Sequence, residues 1–578
     1  MYFWSMNFFK KIFFIWCFLN LLLTKVNANN TSHGISIFDN LKYPKNFSHL
    51  EYVNPNAPKG GEVKYGVEGG FNSFNQFILK GLPASGLSLI YDSLMESVDD
   101  EIGSRYGLIA KAVAISADKL KITFFLHQNA YFHDGVNITA DDVVFTFNKL
   151  LQEGHPSYKM SYRDVREVKK IDKYQVSFYL KNSQNRNLPL LIASLPVLPK
   201  HFYEKNDFGK SSLTPALGSG PYKIKEFGAN RFVIYERVKN YWAKNLPINI
   251  GRYNFDQITF DYYRDNNVLV EAFKSQKYDI RQENIARNWA NLYNIKAVEN
   301  GEIIKTEIPH QMPPSTQSFI LNLRQPKFQD LALRKAIALV FDFEWLQSHI
   351  FYGSYIRNQS FFTNSIYADN EIKPFSYISK TNGDGFNREN ILLAQEILLQ
   401  AGYKIKKNQL FSPQNLPIKL EFLIDQKTFE MVIAPFVKNL KKIGIDAKMR
   451  FVDENQYQTR VNNFDYDIIV STIPQQMVPG SELFAYFHSS QKDIKGSANL
   501  SGFDDKVIDE LVEKISNTKN IKDLPKLCKK FDRYLLENYY IIPQWYNNKH
   551  RILYRNIFEF PKITPKYSLA LETWWIKK

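Results

Sequence analysis

The chain has 578 residues, which predicts two or three domains because a single domain typically has about 100 to 200 residues. Hydrophobic residues make up 44% and charged residues 23%, a composition that excludes a largely disordered, collagen-like or coiled-coil chain. The formal net charge is +16, and no apolar run of about 18 residues follows residue 24, which excludes a polytopic membrane protein.

Residues 1–28 have the pattern of a secretory signal peptide. Lys10 and Lys11 precede an apolar run over residues 12–23, and residues 26–28 read Val-Asn-Ala, with small residues where a signal peptidase would cleave. The run is too short to span a membrane. Cys17 lies inside the run and not at its end, so we expect no lipid anchor. These features predict a soluble protein exported to the periplasm.

The positive charge is informative about possible partners. Removing residues 1–28 would remove three lysines and no acid, so the rest of the chain stays strongly basic. Its lysine pairs are scattered, and an exported protein has little access to nucleic acid, so we expect no nucleic-acid partner. Either the lysines are ordinary solvated surface, or they attract an anionic ligand or the anionic envelope, with only transient docking at the membrane. Cys528 is the one cysteine after the signal peptide, so no internal disulfide is expected.

Hydrophobic periodicity predicts an α/β fold. Alternating apolar residues indicate strands at 120–126, 176–180 and 258–262, and helical spacing indicates one helix over 330–349. Residues 417–424, 428–443 and 445–452 are typical of strand, helix and strand, with Gly444 ending the helix. This β-α-β unit predicts a parallel sheet. We expect at least two lobes and place their boundary near residues 309–314, which read Pro-His-Gln-Met-Pro-Pro.

Catalytic motifs are missing from the sequence. The chain lacks the His-Glu-x-x-His pattern of zinc proteases and the Gly-x-Ser-x-Gly turn of serine hydrolases. Gly209-Lys210-Ser211 resembles the end of a phosphate-binding loop, but Glu204 stands where the leading glycine belongs. The 10 histidines are dispersed along the chain. We therefore expect a binding protein and not an enzyme, with no metal site and no cofactor.

Several short segments together resemble one known family. Residues 132–143 (FHDGVNITADDV) combine a tight turn at Asp134-Gly135 with a helix that Thr139 and Asp142 can cap. Residues 217–222 (LGSGPY), 240–242 (NYW) and 464–467 (FDYD) follow in the order of the landmarks of extracellular solute-binding protein family 5. This family contains the oligopeptide- and dipeptide-type receptors of ABC importers. The likeness covers nearly all of residues 33–578.

A second set of segments resembles the Yej-type branch of that family. It comprises residues 33–36 (HGIS), 52–61 (YVNPNAPKGG), 195–201 (LPVLPKH), 251–256 (GRYNFD) and 281–284 (RQEN). The resemblance implies a periplasmic-binding-protein type II-like fold, with two α/β lobes, an extra subdomain and a ligand cleft between the lobes. It places lobe one at 29–308 with the subdomain at about 88–200, lobe two at 309–540, and a return segment to lobe one at 541–578.

The resemblance implies a monomeric periplasmic receptor that delivers oligopeptides or peptide-like compounds to an ABC permease and its ATPase. Muropeptides and the antibiotic microcin C are cargoes associated with the Yej-type branch. Other functions stay open at this point. A family 5 receptor for a nickel chelate, haem or an oligosaccharide would use the same cleft. A secreted cell-wall or peptide hydrolase would need a nucleophile, metal or carboxylate pair, and a chaperone-like or sensor protein would use the cleft without transport.

The resemblance also implies which residues line the cleft. Glu482, after Pro479, is our first candidate to pair with a peptide ammonium, because an unpaired charge in a closed cleft is costly. A surface carboxylate is the alternative. Arg281 and Glu283 could contact ligand charges or pair with each other, and Trp289 and Trp545 could form apolar walls or pack in the core. The remaining candidates are Asn72, Asn75, Gly480, Ser481 and Asn499.

Overall fold

The structure is a computed structural model that describes residues 31–38, 40–369, 371, 379–518 and 520–578. The predicted signal peptide lies outside the described residues. Within these ranges, no helix combines the length and the apolar character that crossing a bilayer requires. The fold is built from short strands and helices, whose bounds follow in chain order.

The strands of the described chain are β1 (Gly34–Ser36), β2 (Glu62–Glu68), β3 (Met95–Glu96), β4 (Ser104–Gly107), β5 (Ala110–Ile115), β6 (Lys121–Leu126), β7 (Val165–Asp172), β8 (Gln175–Leu180), β9 (Tyr222–Gly228), β10 (Phe232–Arg237), β11 (Gln257–Tyr263), β12 (Ile280–Gln282), β13 (Ile303–Pro309), β14 (Thr316–Leu321), β15 (Ile356–Arg357), β16 (Lys404–Lys406), β17 (Gln409–Phe411), β18 (Lys419–Ile424), β19 (Asp446–Phe451), β20 (Ile468–Ile473), β21 (Ile541–Pro543), β22 (Trp545–Tyr546), β23 (Lys549–Arg555), β24 (Phe558–Glu559) and β25 (Trp575–Ile576).

The α-helices are α1 (Ala140–Glu153), α2 (Pro156–Ser161), α3 (Leu188–Ala193), α4 (Lys200–Tyr203), α5 (Asn266–Lys274), α6 (Ala286–Asn291), α7 (Lys296–Glu299), α8 (Leu331–Leu339), α9 (Phe343–His349), α10 (Arg388–Gln400), α11 (Glu430–Lys442), α12 (Glu454–Asn462), α13 (Glu482–Phe487), α14 (Lys506–Asn517) and α15 (Leu524–Glu537). Short 3₁₀ helices lie at Leu87–Ile90, Pro326–Gln329, Lys427–Phe429, Ser489–Gln491, Ile521–Asp523 and Leu571–Thr573.

The first lobe is built around a seven-stranded sheet in the order β13-β23-β12-β2-β11-β10-β9. β2 pairs in parallel with β11 and β12, and the other pairs are antiparallel. Helix α5 covers one face with Leu269, Val270 and Phe273, which pack against Leu553 of β23. The strand predicted at 258–262 is confirmed as β11.

The predicted strands at 120–126 and 176–180 are confirmed in a separate four-stranded antiparallel sheet, β5-β6-β8-β7. Helix α1 packs on this sheet and begins with the predicted capping box. The Asp142 carboxylate accepts bonds from the Thr139 backbone N–H at 2.9 Å and from the Thr139 hydroxyl at 3.0 Å. This sheet and helix form the extra subdomain.

The second lobe contains a five-stranded sheet in the order β19-β18-β20-β14-β21. β18 is parallel to β19 and β20, and helix α11 joins β18 to β19, which confirms the predicted β-α-β unit. Gly444 has φ +82°, the left-handed conformation that favours glycine just after a helix.

The prediction of one continuous helix over 330–349 is wrong. The chain forms α8 and α9 separately, because Asp342 leaves the helical conformation and its carboxylate accepts the Trp345 backbone N–H at 3.0 Å. A new cap therefore starts a second helix although the apolar spacing continues.

Two crossings join the lobes. The chain passes from β13 of the first sheet to β14 of the second between Pro309 and Thr316, and it returns from β21 to β23 between Pro543 and Lys549. Each lobe has its own hydrophobic core: one cluster of buried residues runs from Phe319 to Ile542, and another combines residues 35–280 with residues 552–574. The α/β fold with two lobes is therefore confirmed, whereas the exact domain bounds stay a prediction.

Candidate functional site

The lobes touch each other through the segment between β8 and α3. The Arg186 guanidinium donates to three backbone carbonyls of lobe two, those of Pro479, Ile515 (3.0 Å) and Thr518 (3.1 Å). Next to it, the Asn187 side-chain amide donates to Gln476 Oε1 at 3.2 Å. The extra subdomain is thus hydrogen-bonded to the segment that follows β20.

A second contact lies near the crossings. The hydroxyl of Tyr355, in lobe two, donates to the Asn284 carbonyl of lobe one at 2.9 Å. The Arg551 guanidinium of β23 lies over the Tyr355 ring, 4.9 Å from its centre. The two lobes are therefore in contact at two separate places, which encloses the space between them.

One cavity lies along this boundary, and a second lies at the strand ends of lobe two. The interlobe cavity, of about 440 Å³, is lined by Ile102, Arg105 and Leu190 from lobe one and by Gln476, Met477 and Val478 from lobe two, among others. The strand-end cavity, of about 410 Å³, is lined by Gln317, Asp425, Gln426 and Thr472 at the carboxyl ends of β18 and β20. Open α/β sheets bind ligands at this end of their strands, and cavities of about 300 to 1,000 Å³ suit small ligands.

The segment of residues 472–482 connects the two cavities and includes three predicted site residues. Glu482 starts α13, and its Oε1 accepts the Gly480 backbone N–H at 2.8 Å. Its buried Oε2 has no hydrogen-bond partner in the described chain. Burial raises the pKa of Glu482, and the Arg186 charge opposes that rise. Gly480 is buried next to Asn187, while Ser481 is exposed.

The structure brings Arg281 and Glu283 together. Their side chains are 6% and 2% exposed and form a salt bridge of 2.9 Å, the arrangement of the structural alternative. Glu283 also accepts the Tyr293 hydroxyl and the Ile285 backbone N–H, at 2.5 Å and 2.9 Å. The Arg281 guanidinium and these hydrogen bonds balance the buried charge of Glu283 within lobe one.

The predicted asparagines are bonded within the chain. Asn72 Oδ1 accepts the Leu82 backbone N–H at 2.6 Å, and the Asn75 amide donates to the Phe208 carbonyl at 2.7 Å. Asn499 is fully buried, and its amide donates to the carbonyls of His488 and Phe503, both in lobe two. These bonds stabilise loops. A ligand-binding role for the three asparagines stays a prediction.

The two predicted tryptophans lie in different parts of the structure. The Lys305 ammonium lies over the ring of Trp289 in α6, 4.7 Å from its centre. Trp289 also borders a small hydrophobic cluster of lobe one. Trp545 lies in the second crossing and packs on Phe351, with ring centres 4.4 Å apart. β22, which contains Trp545, pairs with β15 of lobe two.

Reasoning from the sequence missed Arg186, Tyr355 and Arg551. None of them belongs to a motif, and their partners are far away in the chain: Arg186 and Pro479 are 293 residues apart. The nearest available signal was the return segment around Trp545, which the sequence did place between the lobes. In the part of the chain that the structure describes, no three His, Cys, Asp or Glu side chains are grouped as a metal ion would need.

Comparison with known proteins identifies the family. Residues 105–494 match the profile of bacterial extracellular solute-binding proteins, family 5 Middle. The chain belongs to this family of binding proteins.

The chain is similar in sequence to two relatives and in fold to one solved structure. The probable peptide-binding protein YejA of Agrobacterium fabrum is 35% identical over 577 residues, covering 94% of each chain. The peptidoglycan-binding protein YepA of the same organism is 32% identical over 581 residues, again covering 94% of each. These similarities confirm the Yej-type branch. The oligopeptide-binding protein AppA of Bacillus subtilis, solved with a nonapeptide, shares the fold at a TM-score of 0.66 and 20% identity, over 90% of this chain and 100% of that one.

Proposed function

We propose that the protein captures oligopeptides or peptide-like compounds, including muropeptides, between its lobes in the periplasm and delivers them to an ABC permease and its ATPase. It acts by binding alone and catalyses no reaction. The names of the Agrobacterium fabrum relatives, a peptide-binding and a peptidoglycan-binding protein, support this class of cargo.

The observation that carries the proposal is the set of buried polar atoms without partners at the lobe boundary. Glu482 Oε2 is one, and near the crossings Gln544 Nε2 and both amide atoms of Asn358 are others. Buried polar groups are normally hydrogen-bonded, so such atoms indicate a ligand with complementary groups. A peptide offers an ammonium for Glu482 and backbone N–H and C=O groups for the amides.

The direct test is mass spectrometry of what the purified protein releases when it is denatured. Short peptides or muropeptides, present at about one per protein chain, are the expected result. A metal chelate, haem or oligosaccharide released at that ratio would overturn the peptide proposal while leaving the family assignment intact.

A protein purified without cargo is tested by calorimetry with a library of di- to hexapeptides and with murein tripeptide. Absence of binding to every member would contradict the proposal. The Glu482→Gln variant is expected to bind the same peptides more weakly.

A further inference from the structure

Arg551 differs from the other buried arginines of the described chain. Its side chain is 1% exposed, yet neither of its terminal nitrogens has a hydrogen-bond partner. Arg334, also buried, donates to three backbone carbonyls. Arg281 donates to Glu283, Tyr278, Tyr293 and Asn266.

The guanidinium of Arg551 is enclosed between the lobes. Its strand, β23, begins just after the second crossing and lies between β12 and β13 of lobe one. The Tyr355 ring of lobe two lies over the guanidinium, and the Tyr355–Asn284 hydrogen bond fixes the ring in that position. The Arg551 guanidinium is therefore shielded from solvent when the lobes are in contact.

Nearby carboxylates are already paired with other cations. Glu307 lies opposite Arg551 on β13, but it bonds to Lys549 at 2.6 Å. On the other side, the Glu283 backbone N–H donates to the Arg551 carbonyl, while the Glu283 carboxylate pairs with Arg281. The buried group of Arg281, Glu283 and Arg551 therefore contains two positive charges and one negative charge.

A buried cation without a partner is costly, so the set of Arg281, Glu283 and Arg551 requires one more anion. We propose that Arg551 binds a carboxylate of the ligand in the closed state. A guanidinium offers two parallel N–H donors that match the two oxygens of a carboxylate. The assignment rests on the proposed function and adds to it: the cargo is anionic at the end that lies against β23 and Tyr355.

The first experiment compares trialanine with trialanine amide by calorimetry. We expect the wild type to bind the free acid about 10- to 100-fold more tightly than the amide, as for a charge-assisted pair. Arg551→Gln should bind both alike, and Arg551→Lys should keep part of the preference. The matched control is Arg555→Gln on the same strand, where Arg555 bonds to Asp279 at 3.0 Å; it should behave as the wild type.

A wild type without preference for the acid would overturn the assignment, and so would an Arg551→Gln variant that keeps the preference. Circular dichroism checks that each variant is folded. If Arg551→Gln does not fold, the comparison is made with Arg551→Lys, whose undiminished preference would equally overturn the assignment.

A second experiment needs no peptide. Sodium acetate, compared with sodium chloride at equal ionic strength, should raise the Tm of the wild type and of Arg555→Gln but not of Arg551→Gln. Equal shifts in all three proteins would overturn the assignment, and a larger shift with inorganic phosphate than with acetate would overturn the choice of a carboxylate. If the acetate effect depends on Arg551 while no member of the peptide library binds, the anion site stands and the peptide function falls.

Discussion

Replacing Arg186 by alanine is expected to weaken ligand binding while both lobes stay folded. Its guanidinium donates to the carbonyl oxygens of Pro479, Ile515 and Thr518, all in lobe two. The residue itself lies between β8 and α3, in the extra subdomain. These hydrogen bonds therefore form only when the lobes are together, and they stabilise the closed state relative to the open state.

The size of the effect follows from the hydrogen bonds. A hydrogen bond with a charged donor contributes about 1.5 to 3 kcal/mol, and bonds that share one guanidinium are not additive, so we take about 2 kcal/mol for the set. A ligand enclosed between the lobes binds the closed state, so its affinity falls with the stability of that state when the free protein is mostly open. Because about 1.4 kcal/mol is tenfold in Kd, the expected weakening is about 30-fold.

The assay is calorimetric titration with the peptide that mass spectrometry finds on the purified protein. Arg166→Ala is the matched control, because Arg166 lies exposed on β7, where its guanidinium bonds to its neighbour Glu167 at 3.2 Å and lies over the Tyr179 ring of the same subdomain. The control should leave Kd unchanged within about twofold, as surface salt bridges contribute little. An equally small change for Arg186→Ala, with unaltered thermal unfolding, would refute the view that Arg186 holds the lobes closed.

Three further predictions concern buried groups. Glu482→Gln keeps the side-chain shape and removes the charge, so a peptide with a free ammonium should bind about tenfold more weakly or worse; unchanged calorimetric affinity would remove Glu482 from the site. Burial raises the pKa of Asp92 to about 7, so the folded protein retains a proton that the unfolded chain loses above about pH 4. The free energy of unfolding should therefore fall as the pH rises from about 4 to 7, and Asp92→Asn should flatten that slope in denaturant titrations; equal slopes would contradict the assignment. Cys528 is fully buried and burial raises the pKa of its thiol, so a thiol reagent should modify it only after denaturation, and rapid modification of the native protein would contradict this.

Elements whose signals lie within a few residues were predictable from the sequence. Thr139 and Asp142 are three positions apart, and together they specify the start of α1. Gly444 marks the end of α11 in the same way, because an L-residue with a side chain is disfavoured at its positive φ. Alternation of apolar residues was enough for β6, β8 and β11, since a strand with one buried face repeats every two residues.

The same kind of reasoning failed where two local signals competed. Apolar spacing continues through residues 330–349, but Asp342 offers its carboxylate to the backbone N–H of Trp345 and starts α9. Spacing alone does not tell whether a carboxylate in a helical pattern caps a new helix or faces solvent. In the structure the Asp342 carboxylate caps α9, and both helices pack in the core of lobe two.

The sequence by itself determined the family, the α/β class and the presence of two lobes, because these follow from local patterns and short motifs. Tertiary structure alone decided which side chains meet at the lobe boundary. Arg281 and Glu283 are two positions apart and pair with each other, whereas Arg186 reaches across 293 positions to Pro479, and Arg551 meets Tyr355 only where the lobes touch. Such contacts depend on how two separately packed cores are held by two short crossings, and no local spacing encodes that geometry.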